Sequence, residues 1–133
     1  MRIIGFVCEH GAGKAFQMAG EERIPLPPEV TLITLPCAGR VDPLHLLRAF
    51  REGADAVFVA CCLEGNCHHV YGDVEAGKRV EQARAVLEAV GLGAGRLELF
   101  HLASNQGWRA AEAAEAMLAR AKELGPNPLG VDG

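Results

Sequence analysis

Apolar positions along the chain follow two alternating patterns. Four short runs are almost continuously apolar: Ile3 to Val7, Val30 to Leu35, Ala56 to Cys61 and Leu97 to Leu102. Runs of that length, rich in β-branched residues and bounded by Gly or Pro, read as buried strands. Between them apolar residues recur at helical spacing, first as Leu44, Leu47 and Phe50 on one face, then as Val80, Ala83, Leu87 and Val90. An alanine-rich stretch ending at Leu124 predicts the last helix, with Trp108 and Met117 as core residues. Residues 11–20 predict only a short helix, because glycine at both ends weakens it.

The punctuation agrees with this division. Pro25, Pro27 and Pro28 force an extended entry into the second strand. Asp42-Pro43 is a helix start, with Asp as cap and Pro at the first helical position, and Gly53 ends that helix. Asp73 is placed to cap the third helix, and Ser104 or Asn105 the fourth. Gly91 to Gly95 and Gly125-Pro126-Asn127-Pro128 are the corresponding stops. Alternating strands and helices imply parallel pairing through right-handed crossovers. The expected fold is therefore α/β, a single-domain open parallel sheet of about four strands with flanking helices, flavodoxin- or Rossmann-like. The domain spans 1–128, and 129–133 reads as a flexible tail.

Composition narrows the function. Of 133 residues, 17 are acidic and 13 basic, a net charge of -4 that gives no electrostatic case for nucleic acid or an anionic membrane. Aromatics make up 5%, too few for a base-stacking platform. No stretch approaches the roughly 20 apolar residues of a membrane span, and the first apolar run is too short for a signal peptide. A cytoplasmic location is expected. In a reducing compartment, five cysteines point to metal or redox chemistry rather than disulfides.

Their placement is the informative part. Cys8 follows the first run, Cys37 the second, Cys62 the third, and Cys67 lies on the same loop as Cys62. In open α/β sheets, loops at the carboxyl ends of the strands form the working crevice. Thiols delivered there from three strands read as ligands of one shared centre, whereas buried hydrophobic packing gives no reason for their common placement. Soft thiolates select zinc, Cu(I) or iron–sulfur clusters, and four of them suit structural zinc or a [2Fe–2S] cluster. Strand alternation turns Cys61 away from Cys62 and into the core. His10 and His68 are possible ligands or sulfur hydrogen-bond partners, and His69 reads as a polar neighbour. Glu9 and Glu64 lie near the thiols without a nucleophile to serve. Gly11-Ala12-Gly13-Lys14 does not make a phosphate loop, since Cys8 stands at the first glycine position and Ala15 where a hydroxyl is needed.

These residues also carry a family likeness. Phe6-Val7-Cys8, Ala19-Gly20, Pro28-Glu29-Val30, Cys37-Ala38-Gly39-Arg40-Val41-Asp42-Pro43, Ala49 to Asp55, Cys62-Leu63-Glu64-Gly65-Asn66-Cys67-His68 and Gly125-Pro126-Asn127-Pro128 make the chain resemble the delta subunit of methyl-viologen-reducing hydrogenase. The resemblance covers about residues 2–128. It implies a small soluble subunit with a [2Fe–2S] cluster. Such a subunit passes electrons between a hydrogenase or formate dehydrogenase and the flavoprotein subunit of heterodisulfide reductase. Cys8, Cys37, Cys62 and Cys67 match family cysteines. The chain departs from the family at Gly11, where a second Cys is common, at Cys61, where Gly is preferred, and at His69, where Tyr is usual. From the residues alone, two competing functions use the same thiols. One is a zinc-stabilised structural or adaptor module, and the other a thiol enzyme with Cys62 or Cys67 as nucleophile.

Overall fold

The protein is described by a computed structural model covering residues 2–8, 12–21, 23–24, 26–35, 42–61, 72–101 and 107–128. Strands and helices alternate: β1 (Ile3–Cys8), α1 (Ala12–Glu21), β2 (Val30–Leu35), α2 (Pro43–Arg51), β3 (Ala56–Cys61), α3 (Gly72–Ala89), β4 (Leu97–His101) and α4 (Gly107–Leu124). A 3-10 turn over Ala94–Arg96 precedes β4. The sheet order is β2-β1-β3-β4, and every pair is parallel. This is the open α/β architecture that the apolar pattern predicts. The strand order reverses between β2 and β3, which lie on either side of β1, creating a switch point at the carboxyl end of β1.

Two layers of side chains cover the sheet. On one face Ile4, Phe6, Cys8, Val57, Val59 and Cys61 pack with Leu46 and Phe50 of α2 and Val80, Ala83 and Leu87 of α3. On the other, Ile3, Val7, Phe58 and Ala60 pack with Ala15 and Phe16 of α1 and Ala110, Ala114 and Met117 of α4. Central strands β1 and β3 are buried at every position, as continuous apolar runs require. Edge strand β2 instead exposes Thr31, Ile33 and Thr34. Within β1, Gly5 lies directly beside Phe58 of β3 in the register. A Cβ on Gly5 would come within 2.3 Å of Phe58 Cζ, so the ring occupies the space that glycine leaves. Phe16 stacks on that ring at 5.9 Å and Phe100 meets it edge-on at 6.0 Å.

Asp42 caps α2 as its sequence predicts, its Oδ1 accepting from the Leu44 N–H at 2.9 Å ahead of Pro43 at the first turn. The buried face of that helix is Leu46, Ala49 and Phe50, with Leu47 at its margin, while Leu44 is 71% exposed. At 3.6 residues per turn, Leu44 falls across the axis from Leu46, so the buried stripe is rotated from the expected one. Similarly, Val80, Ala83 and Leu87 are buried, but Val90 is exposed because the chain leaves α3 after Ala89 and turns at Gly91. Asp73 lies inside the first turn of α3, which begins at Gly72. On α4, Met117 is fully buried, but Trp108 is 55% exposed and lies over the Arg109 guanidinium at 5.6 Å. Trp108 shares its helix face with Glu112 and Glu115, opposite the alanines that meet the sheet.

The amino-terminal edge of the sheet is closed by a polar plug. Buried Arg96 donates to the carbonyl oxygens of Leu92, Asp55 and Gly125 at 2.9, 3.0 and 2.8 Å. Buried Asn127 donates its side-chain amide to the Phe50 and Ala54 carbonyls, both at 2.7 Å. The Gly-Pro-Asn-Pro segment therefore does more than stop α4. It gives the Ala54 carbonyl its side-chain donor and adds a second donor to the Phe50 carbonyl, which already accepts from the Gly53 N–H at 3.1 Å.

Candidate functional site

The opposite, carboxyl-terminal edge is where the strands lead to the cysteines. Cys8 is the last residue of the central strand and is 3% exposed. Its register partner on β2 is Leu35, which ends the strand just before the segment that carries Cys37. On the other side Val7 pairs with Ala60, so at the level of Cys8 strand β3 reaches Cys61 and then the segment carrying Cys62 and Cys67. Adjacent strands lie about 4.8 Å apart. The two strands that lead to the other cysteines thus end on either side of Cys8, within about 10 Å of one another.

Cys37, Cys62 and Cys67, together with His10, His68, His69, Glu9 and Glu64, lie outside the described residues. Among the described residues no group of three or more His, Cys, Asp and Glu side chains is arranged to hold a metal ion. Neither Cys8 nor Cys61 is in a disulfide. The donor chemistry nonetheless fits a thiolate-bound centre. One thiol stands at the edge on β1, and the neighbouring strands on both sides run into the segments that carry the other three. No helix among the described residues is long and apolar enough to cross a membrane.

Cys61 is 1% exposed, in the core as expected, and packs on the α2/α3 face, the same face as Cys8. Its surroundings are not purely apolar, however. Cys61 pairs in register with His101 of β4, and Cys61 Sγ lies 3.4 Å from His101 Nδ1, with the donor set by the imidazole tautomer. His101 in turn borders a cleft formed with Phe100, Arg109, Glu112, Ala113 and Ala116. Sequence reasoning missed His101. Its position at the end of a strand was visible, but only the β3–β4 register brings it to Cys61.

The electrostatics of β4 centre on Glu98, a carboxylate on the edge strand that reaches both flanking helices. It accepts from Arg120 of α4 at 2.9 Å and from Arg84 of α3 at 3.3 Å. Partial burial pushes its pKa up, but the hydrogen bonds from Arg120 and the Leu99 N–H, with the charges of Arg84 and Arg120, outweigh that effect. The carboxyl is held below its ordinary range. A charge in mid-strand also blunts β4 as a site of strand addition.

Similarity to known proteins runs along the whole of this framework. The family described as methyl-viologen-reducing hydrogenase, delta subunit, matches residues 3–125. An F420-non-reducing hydrogenase vhu iron-sulfur subunit from Methanocaldococcus jannaschii is 37% identical over 127 residues, covering 96% of this chain and 95% of that one. Its namesake from Methanococcus maripaludis is 39% identical over the same shares. A third relative is a subunit of the ferredoxin/F(420)H(2)-dependent CoB-CoM heterodisulfide reductase of Methanosarcina acetivorans. It is 30% identical over 93% of this chain, but that region is only 16% of the longer protein. The match extends from β1 to the end of α4 and takes in every strand that leads to a cysteine, so the chain belongs to the methyl-viologen-reducing hydrogenase delta subunit family.

Proposed function

We propose that this chain is an electron-transfer subunit holding a [2Fe–2S] cluster on Cys8, Cys37, Cys62 and Cys67. It performs no bond-making on a substrate. Electrons pass through it between hydrogenase or formate dehydrogenase subunits and a heterodisulfide reductase-type flavoprotein in the cytoplasm. The observation that carries this reading is the register at the carboxyl edge, where Cys8 stands between the strands that lead to the other three thiols. Four thiolates are the number that a [2Fe–2S] centre requires.

The relatives add support from their composition. Several are named iron-sulfur subunits of a hydrogenase. In others the same module is part of a longer heterodisulfide reductase chain. A module that is separate in some proteins and fused in others works close to the polypeptide it is fused with. When bound, the cluster supplies a one-electron carrier, and its potential is set by charge, hydrogen bonds to sulfur and solvent access. The chain's own part is to hold the thiolates at one edge and to keep bulk water off Cys8.

Iron, sulfide and zinc quantitation on protein prepared without oxygen tests the reading. Two irons and two sulfides per chain are expected, with visible absorption that Cys62→Ser and Cys67→Ser each abolish. A colourless protein with one zinc per chain would replace the cluster with a structural metal. Unchanged iron and sulfide in both variants would remove these cysteines from the ligand set.

A further inference from the structure

Cys61 and His101 form the polar contact that the ligand assignment leaves unused. Cys61 is the residue immediately before Cys62 in the chain. The Cys61 side chain belongs to the buried cluster that includes Val59, Val80 and Leu97. Against it β4 brings the ring of His101, an exposed residue at the strand end, with Nδ1 at 3.4 Å from the sulfur. A buried thiol alone would pack as a small hydrophobe. A register-matched histidine adds a polar contact at the carboxyl edge, on the strand that leads to Cys62 and Cys67.

We infer that the Cys61–His101 pair is a positioning unit for the proposed centre: it orients the chain entering Cys62 and raises the reduction potential there, while Cys61 itself does not ligate. This inference rests on the cluster reading above. One-electron reduction adds one negative charge at the edge, the electron arriving from the redox donor and leaving to the acceptor already proposed. A polar, hydrogen-bonding pair stabilises that added charge better than hydrocarbon does. Replacing the pair with apolar side chains therefore lowers the potential without releasing the cluster.

Redox titration of the anaerobic holoprotein, with its electron paramagnetic resonance spectrum and iron content, provides the test. Cys61→Ala and His101→Phe should each keep full iron and sulfide and shift the midpoint potential downward. The double variant should shift no further than the larger single shift, since both remove one interaction. His101→Asn, whose amide can occupy the Nδ1 position, and Cys61→Ser, which keeps a hydroxyl in place of the thiol, should retain the wild-type potential and spectrum. Loss of iron in Cys61→Ala would overturn the inference by making Cys61 a ligand. Full iron with an unmoved potential in both single variants would overturn it as well, leaving the cluster reading intact. Wild-type protein without iron and sulfide would overturn the cluster reading and the inference together.

Discussion

Asn127 donates its backbone N–H to Asp55 Oδ1 at 2.8 Å, joining two residues 72 positions apart. The other oxygen of the same carboxylate accepts from the Arg2 N–H at 2.8 Å. One side chain therefore ties the beginning of β1, the beginning of β3 and the segment after α4 into a single node. Asp55 also bonds Arg2 through the backbone, its N–H donating to the Arg2 carbonyl at 2.8 Å. With the amino edge locked in this way, the strand ends at the opposite edge keep a fixed register for the cysteines.

Replacing Asn127 with alanine should destabilise the protein by about 2 to 4 kcal/mol, because two buried carbonyls lose their amide donor. Asn127→Asp should be comparably poor, since a carboxylate cannot donate to the Phe50 and Ala54 oxygens. Urea unfolding of the two variants checks this. A midpoint equal to wild type for both would show that the node contributes nothing.

Gly5→Ala should cost about 1 to 3 kcal/mol through overpacking, as the new methyl group collides with the Phe58 ring. Phe58→Leu in the same chain should recover part of that loss, although Phe58→Leu alone is destabilising through the cavity it leaves. A double-mutant cycle by thermal unfolding measures the coupling, which vanishes if the ring can move aside freely.

Glu98 makes stability depend on acid. Its carboxyl is depressed below the ordinary 4.5 in the fold, so it releases its proton more readily there than in the unfolded chain. Its contribution is fully present above the unfolded value and lost as pH falls through the lower, folded one. Glu98→Gln should therefore be less stable than wild type at pH 7, and the gap should close below about pH 4, near the ordinary carboxylate range. Parallel unfolding curves with a gap constant from about pH 7 to about pH 3 would contradict the depressed carboxyl.

Trp108→Ala should change stability by no more than about 0.5 kcal/mol, the usual range for an exposed position away from the core. Met117→Ala, on the same helix but fully buried, should lose about 2 to 5 kcal/mol. Thermal melts of the pair separate the two faces of α4. A large loss for Trp108→Ala would mean that its contact with Arg109 supports the fold.

Local chemistry was enough to place the elements. Continuous apolar runs marked the buried strands, Asp42-Pro43 marked a helix start that the structure shows with Asp42 as its cap, and alternation put Cys61 in the core. Each of these depends on forces acting within a few residues of one another. The faces of the helices were less legible. Leu44 and Trp108 are apolar residues at plausible spacings, yet which side of a helix meets the sheet depends on how the crossover lays it down.

Strand order and register belonged wholly to the tertiary structure. No local signal says that β1 lies between β2 and β3, or that Cys61 stands opposite His101, because parallel pairing joins residues separated by a crossover helix. The same is true of Asn127, which the chain presents as a turn residue and the fold uses to satisfy buried carbonyls. The residue types at the carboxyl edge were written in the chain. The common level of the strands that lead to them, which a shared centre needs, comes from hydrogen bonds between segments distant in sequence.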